Sequence, residues 1–464
     1  MHDMELYEDR LDHQMEQEDF VLAVVTATKP DFYKQAPLVP AAEERDIPCF
    51  VINTGQHYDE LLGHGLKEYG IKDRIGADLN IRGGLSQKTA EMMQKVKKLA
   101  SHLDDNHPDT SVLPIVHGDT LAAGVFPMAW MFATNRKVAH NEAGLRGMKP
   151  QYDDYADEQS FIQEQWEQDW QIDRSEPFPE QFDTFVGSAA SIYHLAPHDI
   201  NREHLVREGY PEQVRHEEQI EFTGTIPVVG NSVIDAIDMK QDADLDRSIF
   251  DIHPVLEERD EWIRVDIHRR ANLLPGRFRA IVQAVINLVE AGHNVNFIEM
   301  TATREALKEY GLRSKLERLE EKHDNFLFTG LWKKHAHVYE FLTSGQCFAE
   351  LTDSGSMQEE LNHIEEAHCL TARFNTDRPE TVFEAHTNIL VPPISGEHMH
   401  GMVEHVKDSQ ELRKRMREGT KVYGSNVSDK IVEFLETKQR NTHFDWSHER
   451  AGFNTGHDHD FDYL

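Results

Sequence analysis

From Phe20 onward this chain repeats one pattern: a short apolar run opens onto a polar or glycine cluster and is followed by a stretch of helical periodicity. That alternation is how βα units of a parallel sheet read. Two such series occur. In the first, residues 20–25 and 49–53 are expected as buried strands separated by a helix whose Pro37 and Pro40 fall near its start. Residues 85–103 read as a helix, because Met92, Val96, Leu99 and Leu103 share one face. The strand 112–116 leads directly into His117-Gly118-Asp119-Thr120, and 138–140 leads into Asn141-Glu142-Ala143-Gly144-Leu145-Arg146. The second series has strands at 262–267, 295–298, 346–350 and 369–372, with a helix over 278–290 stopped by Gly292. Functional groups of open parallel sheets collect where such strands end.

At 464 residues the chain is too long for one ordinary core, so two domains of about 200 residues each are expected. Residues 148–177 break the period and read as an inserted loop or lid; 219–230 read as a strand and crossing segment; 428–435 read as a last helix before a loosely ordered polar tail. The longest apolar run, 21–27, is far short of the roughly 20 residues a bilayer span needs, and the acidic start lacks the features of a secretory signal. A cytoplasmic protein without a membrane segment is expected. Cys49, Cys347 and Cys369 stand apart and indicate neither disulfides nor a CxxC metal site.

With 83 acidic against 48 basic residues the net charge is −35, which argues against nucleic acid as a partner. An anion site can survive in such a field only where lysines, arginines and helix N-termini are concentrated. The excess charge also points to a salt-loaded, halophile-type cytoplasm, since molar salt shortens the screening length to about 3 Å, the alternative being a merely acidic mesophilic protein.

Taken singly, the polar clusters leave alternatives open. Asp353-Ser354-Gly355-Ser356 can bring backbone N–H groups to a phosphate or be an ordinary capped turn. Thr28-Lys29-Pro30 with Lys34 offers two cations beside a helix start, or two exposed lysines. His268-Arg269-Arg270 can hold a diphosphate and supply a proton, although a lone histidine is more often structural. His398, His400 and His405, or His457 and His459 in the tail, are weak metal candidates among 28 histidines, and no metal site is expected.

In combination these blocks are specific. Thr28-Lys29-Pro30, Gly55-Gln56-His57, His117-Gly118-Asp119-Thr120, Glu142-Ala143-Gly144-Leu145-Arg146, Pro179-Glu180, Gly230-Asn231-Ser232-Val233-Ile234-Asp235-Ala236, His268-Arg269-Arg270, Thr352-Asp353-Ser354-Gly355 with Gln358-Glu359-Glu360, and Asp377-Arg378-Pro379-Glu380 follow one another. Over roughly residues 20–440 their order resembles the non-hydrolysing UDP-N-acetylglucosamine 2-epimerases. The resemblance implies an α/β fold of glycosyltransferase-B-like architecture, with two Rossmann-like domains facing a cleft. The expected division is an acidic extension 1–19, a first domain 20–224 carrying insertion 148–177, a second, nucleotide-binding domain 225–424, a helix 425–440 returning to the first domain, and a tail 441–464.

The resemblance further implies 2-epimerisation of UDP-N-acetylglucosamine or a close UDP-sugar by elimination and re-addition of UDP, feeding surface-polysaccharide or glycoprotein assembly. Asp119, Glu142, Glu180 and His268 occupy the family's catalytic positions and are expected to converge on the cleft. Lys29, Lys34, Arg269, Ser354, Gly355, Glu360 and Arg378 are the substrate-binding positions, with Glu360 a candidate for the ribose hydroxyls. No cofactor is implied, and no G-x-G-x-x-G fingerprint follows a strand. A homodimer is compatible with this reading. The alternatives are a UDP-sugar hydrolase, a glycosyltransferase of the same fold, or an inactive nucleotide-sugar-binding protein. Departures from the pattern include Lys29 for arginine, Ser356 for glycine, and Thr184 and Ala271 where arginine and glutamate are usual. Glu299-Met300-Thr301 stand where bacterial members carry a histidine, so their activation by substrate is not expected here.

Overall fold

All seven residues of the strand Phe20–Thr26 are buried, as the centre of a parallel sheet covered on both faces requires. The computed structural model describes residues 3–55, 70–151, 157–167, 169–175, 179–210, 214–216, 219–223, 225–241, 245–332 and 334–440. They fall into two units: Met1–Leu145, Phe178–Ala236 and Tyr423–Leu464 form the first, and Arg146–Pro177 with Ile237–Val422 the second.

The sheet of the first unit contains β1 (Glu5–Leu6), β2 (Phe20–Thr26), β3 (Cys49–Asn53), β4 (Ile75–Asp78), β5 (Ser111–His117) and β6 (Val138–Asn141). After β7 (Met148–Pro150) and β8 (Trp170–Ile172), which belong to the other unit, it gains β9 (Ser191–Leu195). Its order is β1-β4-β3-β2-β5-β6-β9, and only β1 runs antiparallel to its neighbour. A small antiparallel ribbon, β10 (Val214–His216) with β11 (Gln219–Thr223), follows. Val21, Ala23 and Val25 of β2 pack with Met92, Val96 and Leu99, the helix face expected from their spacing, in one hydrophobic cluster.

The second unit holds β12 (Trp262–Asp266), β13 (Val295–Glu299), β14 (Phe326–Gly330), β15 (Cys347–Thr352), β16 (His368–Thr371) and β17 (Asn388–Leu390). They form an all-parallel sheet in the order β14-β13-β12-β15-β16-β17. Alternate residues feed two clusters: Ile263 and Val265 one, Trp262 and Ile298 the other. Both sheets thus step outward from β2 or β12 to one side and restart on the other, the doubly wound arrangement of a Rossmann fold.

Three expectations need correction. The described residues of 148–177 are not a loop: β7 and β8 pair, and Glu158–Glu167 is a helix between them. Phe161, Ile162 and Trp166 of that helix join the second unit's core, while Gln165 and Trp166 hydrogen-bond the backbone of Leu390 and Asn388. Burying one large apolar side chain is worth about 1.5–3 kcal/mol, so this segment is part of the second unit's core. Its acidic and amide residues hid the period. Nor are residues 3–19 a mere extension, since Leu11 and Met15 of the helix Glu8–Met15 are buried in the first core. The single helix expected around Pro37 is instead two, Lys29–Gln35 and Leu38–Glu44, because proline at position 37 supplies no N–H to continue the first.

Candidate functional site

In the first unit the strand order reverses between β2 and β5, and the polar clusters noted in the sequence follow the ends of β2, β5 and β6. The helix Lys29–Gln35 opens with a capping box in which Asp31 Oδ2 accepts from the Thr28 backbone N–H (2.9 Å) and hydroxyl (3.0 Å). The other oxygen of Asp31 lies 3.0 Å from Nδ1 of His117, the last residue of β5. The far side of that ring, Nε2, is 3.1 Å from Glu142 Oε2. Glu142 Oε1 in turn accepts from Lys34 Nζ at 2.7 Å and Asn231 Nδ2 at 2.9 Å. All these side chains are buried. Burial opposes a charge on His117, but Glu142 and Asp31 outweigh it and push its pKa up to about 9.

The backbone is bent to make this possible. Glu142 has φ +61°, a left-handed conformation that costs a non-glycine residue on the order of 1 kcal/mol or more. Gly118, at φ +63°, turns the chain after His117, and a Cβ there would come within 2.8 Å of Glu142 Oε2. His140 Nε2 lies 2.7 Å from the Gly118 carbonyl and braces the turn.

Beyond the turn stands Asp119, half-buried, and at the start of the helix Glu180–Ala189 stands Glu180, likewise half-buried. One helical turn on is Asp183, a buried residue whose Oδ2 has no hydrogen-bond partner among the described residues. Burial, then the charges of Asp119 and Glu180, push its pKa up to about 8, so it keeps its proton at neutral pH. Two accessible carboxylates beside a protonated one form a set that can both take and return a proton.

In the second unit the reversal lies between β12 and β15. Asp353, buried just past β15, accepts from the backbone N–H groups of His268 and Arg269 and from Asn272 Nδ2, each at 3.0 Å. His268 Nδ1 is 3.2 Å from Asp266 and 3.3 Å from Asp353, and its side chain is 37% exposed. Burial pulls its pKa down, but Asp353 and Asp266 together raise it. Behind Asp266, the buried Arg264 guanidinium bonds Glu350, so a line of charge runs from the sheet interior to His268. Burial drives Glu350 up to about 8 against the pull of Arg264.

The helix Gly355–His363 starts beside these groups, with Ser354 as its cap. A Cβ on Gly355 would meet the Arg378 guanidinium at 2.8 Å and Arg269 at 3.2 Å. Asp377 touches three arginines: Arg373 at 3.0 Å, Arg378 at 2.7 Å and Arg269 at 3.7 Å. Burial would raise Asp377, yet these cations hold it well below the usual carboxylate range. Glu359 binds Arg378 at 2.7 Å, and Arg373 keeps one sheltered nitrogen with no hydrogen-bond partner among the described residues. Three guanidiniums against two carboxylates, beside a helix N-terminus, suit an anion with several oxygens.

Asp119, Glu142, Glu180 and Lys34 therefore belong to the first unit, and His268, Arg269, Ser354, Gly355, Glu360 and Arg378 to the second. Lys34 is bound to Glu142, and Glu360 is buried 3.1 Å from His335. The Lys29 side chain, Gln56, His57 and the tail 441–464 lie outside the described residues. Sequence reading missed Asp31, His117, Asn231, Asp183, Asp266, Arg373 and Asp377. His117, Asn231 and Asp377 lay inside motifs that carry the resemblance, but only the fold shows the first two meeting Glu142 and the third meeting three arginines.

Comparison with known proteins gives a consistent result. Residues 41–160 and 171–436 match the family described as UDP-N-acetylglucosamine 2-epimerase. The UDP-N-acetylglucosamine 2-epimerase of Methanocaldococcus jannaschii is 28% identical over 382 residues, covering 80% of this chain and 88% of that protein. A crystal structure of the M. jannaschii enzyme in complex with UDP-GlcNAc and UDP aligns with a TM-score of 0.67 at 25% identity, covering 89% of this chain and 99% of that one. The Neisseria meningitidis enzyme bound to UDP-GlcNAc aligns with a TM-score of 0.70 at 24% identity over 90% and 99%.

Proposed function

The chain belongs to the UDP-N-acetylglucosamine 2-epimerase family, and from that premise we propose how its two units divide an epimerisation of UDP-N-acetylglucosamine at C2. The hydrogen at C2 has no carbonyl beside it, so direct removal and return of the proton is prohibitively slow. Elimination avoids this. A carboxylate takes the C2 proton while the C1–O bond breaks, the electron pair leaves with UDP, and a C1=C2 glycal remains. Return of a proton to C2 from the opposite face, with addition of the UDP oxygen at C1, gives the 2-epimer.

The observation that carries the reading is the carboxylate cluster of the first unit, in which Asp183 holds a proton at neutral pH beside Asp119 and Glu180. Asp119 and Glu180, being half-buried, are the groups able to exchange protons with the sugar, and Asp183 is the reserve donor behind them. Glu142 is pinned by Lys34, Asn231 and His117, which favours an electrostatic and positioning part for it. In the second unit Arg269, Arg378 and the N–H groups following Ser354 hold the diphosphate as negative charge grows on it. His268, whose cationic form Asp353 and Asp266 favour against burial, supplies charge or a proton to the departing oxygen.

Among the described residues no helix is long and apolar enough to cross a membrane. The charge of −35 supports action in a salt-rich cytoplasm without contact with nucleic acid, and membership of the family is what favours supply of an amino sugar for polymer assembly. The test is incubation of the purified protein with UDP-N-acetylglucosamine in molar potassium chloride, resolving the products by chromatography. Accumulation of the UDP-linked 2-epimer supports the reading. UDP with free sugar or glycal as the only products would show that the reaction stops after elimination.

A further inference from the structure

At the opposite end of the second sheet, away from the strand ends that carry His268 and Asp353, three side chains meet that the epimerisation does not use. His293 sits in the turn between the helix Pro275–Glu290 and β13, beside Asn294, whose carbonyl accepts from Ile263 near the start of β12. His400 and Glu404 lie one turn apart on the helix Gly396–Asp408, hence on one face. Both rings point Nε2 at the same carboxylate oxygen: His293 is 2.5 Å and His400 3.1 Å from Glu404 Oε1. The three ligand atoms lie within 4.8 Å of one another.

We propose that His293, His400 and Glu404 form a binding site for a first-row transition-metal dication of the zinc class, clamping the helix Gly396–Asp408 to the turn before β13. Tetrahedral bonds of about 2.0–2.1 Å place ligand atoms about 3.3 Å apart, so the trio closes on an ion with shifts of roughly 1 Å. Two imidazole nitrogens select zinc, cobalt or nickel over magnesium or calcium. The side chains are 15%, 28% and 28% exposed, which leaves a route in and room for a water as fourth ligand. Lys407 stands 3.1 Å from His293 Nδ1 and 3.3 Å from Glu261. While Lys407 donates to Nδ1, the ring proton is on Nε2. A metal at Nε2 moves that proton to Nδ1, and Lys407 turns to Glu261. Of the histidines grouped with His400 in the sequence, His398 instead lies near Glu158, 3.9 Å away.

The site is testable without reference to catalysis. The full-length protein is stripped with EDTA, dialysed and titrated with Co2+, then with Zn2+ in competition. The expected result is a visible d–d absorption of four-coordinate cobalt at one equivalent, displaced by zinc, with a melting temperature several degrees higher in zinc than in EDTA. His400→Ala and Glu404→Gln should each lose the absorption and at least half of the zinc-dependent shift. Circular dichroism in EDTA checks that both variants fold. A double variant of the tail histidines, His457→Ala with His459→Ala, should retain both signals. Absorption and melting shift that persist in His400→Ala and Glu404→Gln, or that vanish in the tail variant, would overturn the proposal.

Discussion

The two switch points sit on the same scaffold and present different groups. After β2, β5 and β6 the first unit gathers Asp31, Asp119 and Glu142, with Glu180 and Asp183 added from the helix after Pro179, beside Lys34 and a protonated His117. After β12 and β15 the second gathers Arg269, Arg373 and Arg378 around Asp377. The strand order dictates where functional groups collect, but the side chains decide whether that place gathers carboxylates or guanidiniums. In a chain of net charge −35 the second choice is the harder one, and it is met by concentrating guanidiniums where a helix N-terminus adds to them.

The sharpest way to break this contrast is to exchange the phenotypes. Asp119→Asn and Glu180→Gln should each lower kcat by about 10²–10⁴-fold with little change in UDP affinity, as expected for lost general acid–base catalysis. Arg269→Gln should raise the Kd for UDP by about 10–100-fold, the loss of a charge-assisted hydrogen bond. Calorimetric titration with UDP, paired with steady-state rates, separates the two. A first-unit carboxylate variant that lost UDP binding would erase the distinction.

A smaller effect concerns pH, through His117 and Asp183 of the first unit. The folded pKa of His117, about 9, lies above its ordinary 6.5, so its contribution, on the order of 3 kcal/mol, is complete below about pH 6.5 and is lost as pH rises through 9. Asp183 acts in the same direction: from about pH 4 toward 8 the unfolded carboxylate is ionised while the folded one keeps its proton. Urea midpoints should therefore fall from pH 6.5 to 9.5, and His117→Asn should flatten the slope. A midpoint independent of pH would refute the buried charge network.

Two glycines sharpen the comparison further. Gly118→Ala forces a Cβ into φ +63° and against Glu142, and should cost about 1–2 kcal/mol of stability together with activity. Gly355→Ala meets the guanidinium ends of Arg378 and Arg269 rather than backbone and has no left-handed φ, so stability should change less while UDP binding weakens. Equal losses of stability in the two variants would contradict the stated geometry. The mildest expectation concerns salt. From low to molar potassium chloride the melting temperature should rise as surface repulsion is screened, while UDP affinity stays flat or falls, because the arginine contacts are screened too.

Strands β2, β3, β5, β6, β12, β13, β15 and β16 were legible in the sequence as short, mostly apolar runs, and the ends of β5, β6, β12 and β15 stood out because polar clusters follow them directly, whereas β4, β9, β14 and β17 were not read. Less legible was anything set by tertiary contact. The helix Glu158–Glu167 hides Phe161 and Trp166 among glutamates and glutamines, so its buried face emerges only against Asn388 and Leu390. His117 reads as a strand end, and its charge arises from Asp31, 86 positions earlier, and from Glu142. Asp183 looks like an ordinary residue of a helix's first turn, and its retained proton comes from being buried beside Asp119 and Glu180.

The central claim is that carboxylates of the first unit carry a proton to and from C2 while UDP leaves and returns. It is tested most directly by running the reaction from UDP-N-acetylglucosamine in deuterated water and following C2 by NMR and mass spectrometry. The account predicts that the 2-epimer carries deuterium at C2 from the first turnovers, and that Glu180→Gln, still binding UDP, produces neither epimer nor exchange at a comparable rate. Epimer formed with its original hydrogen at C2 would contradict it.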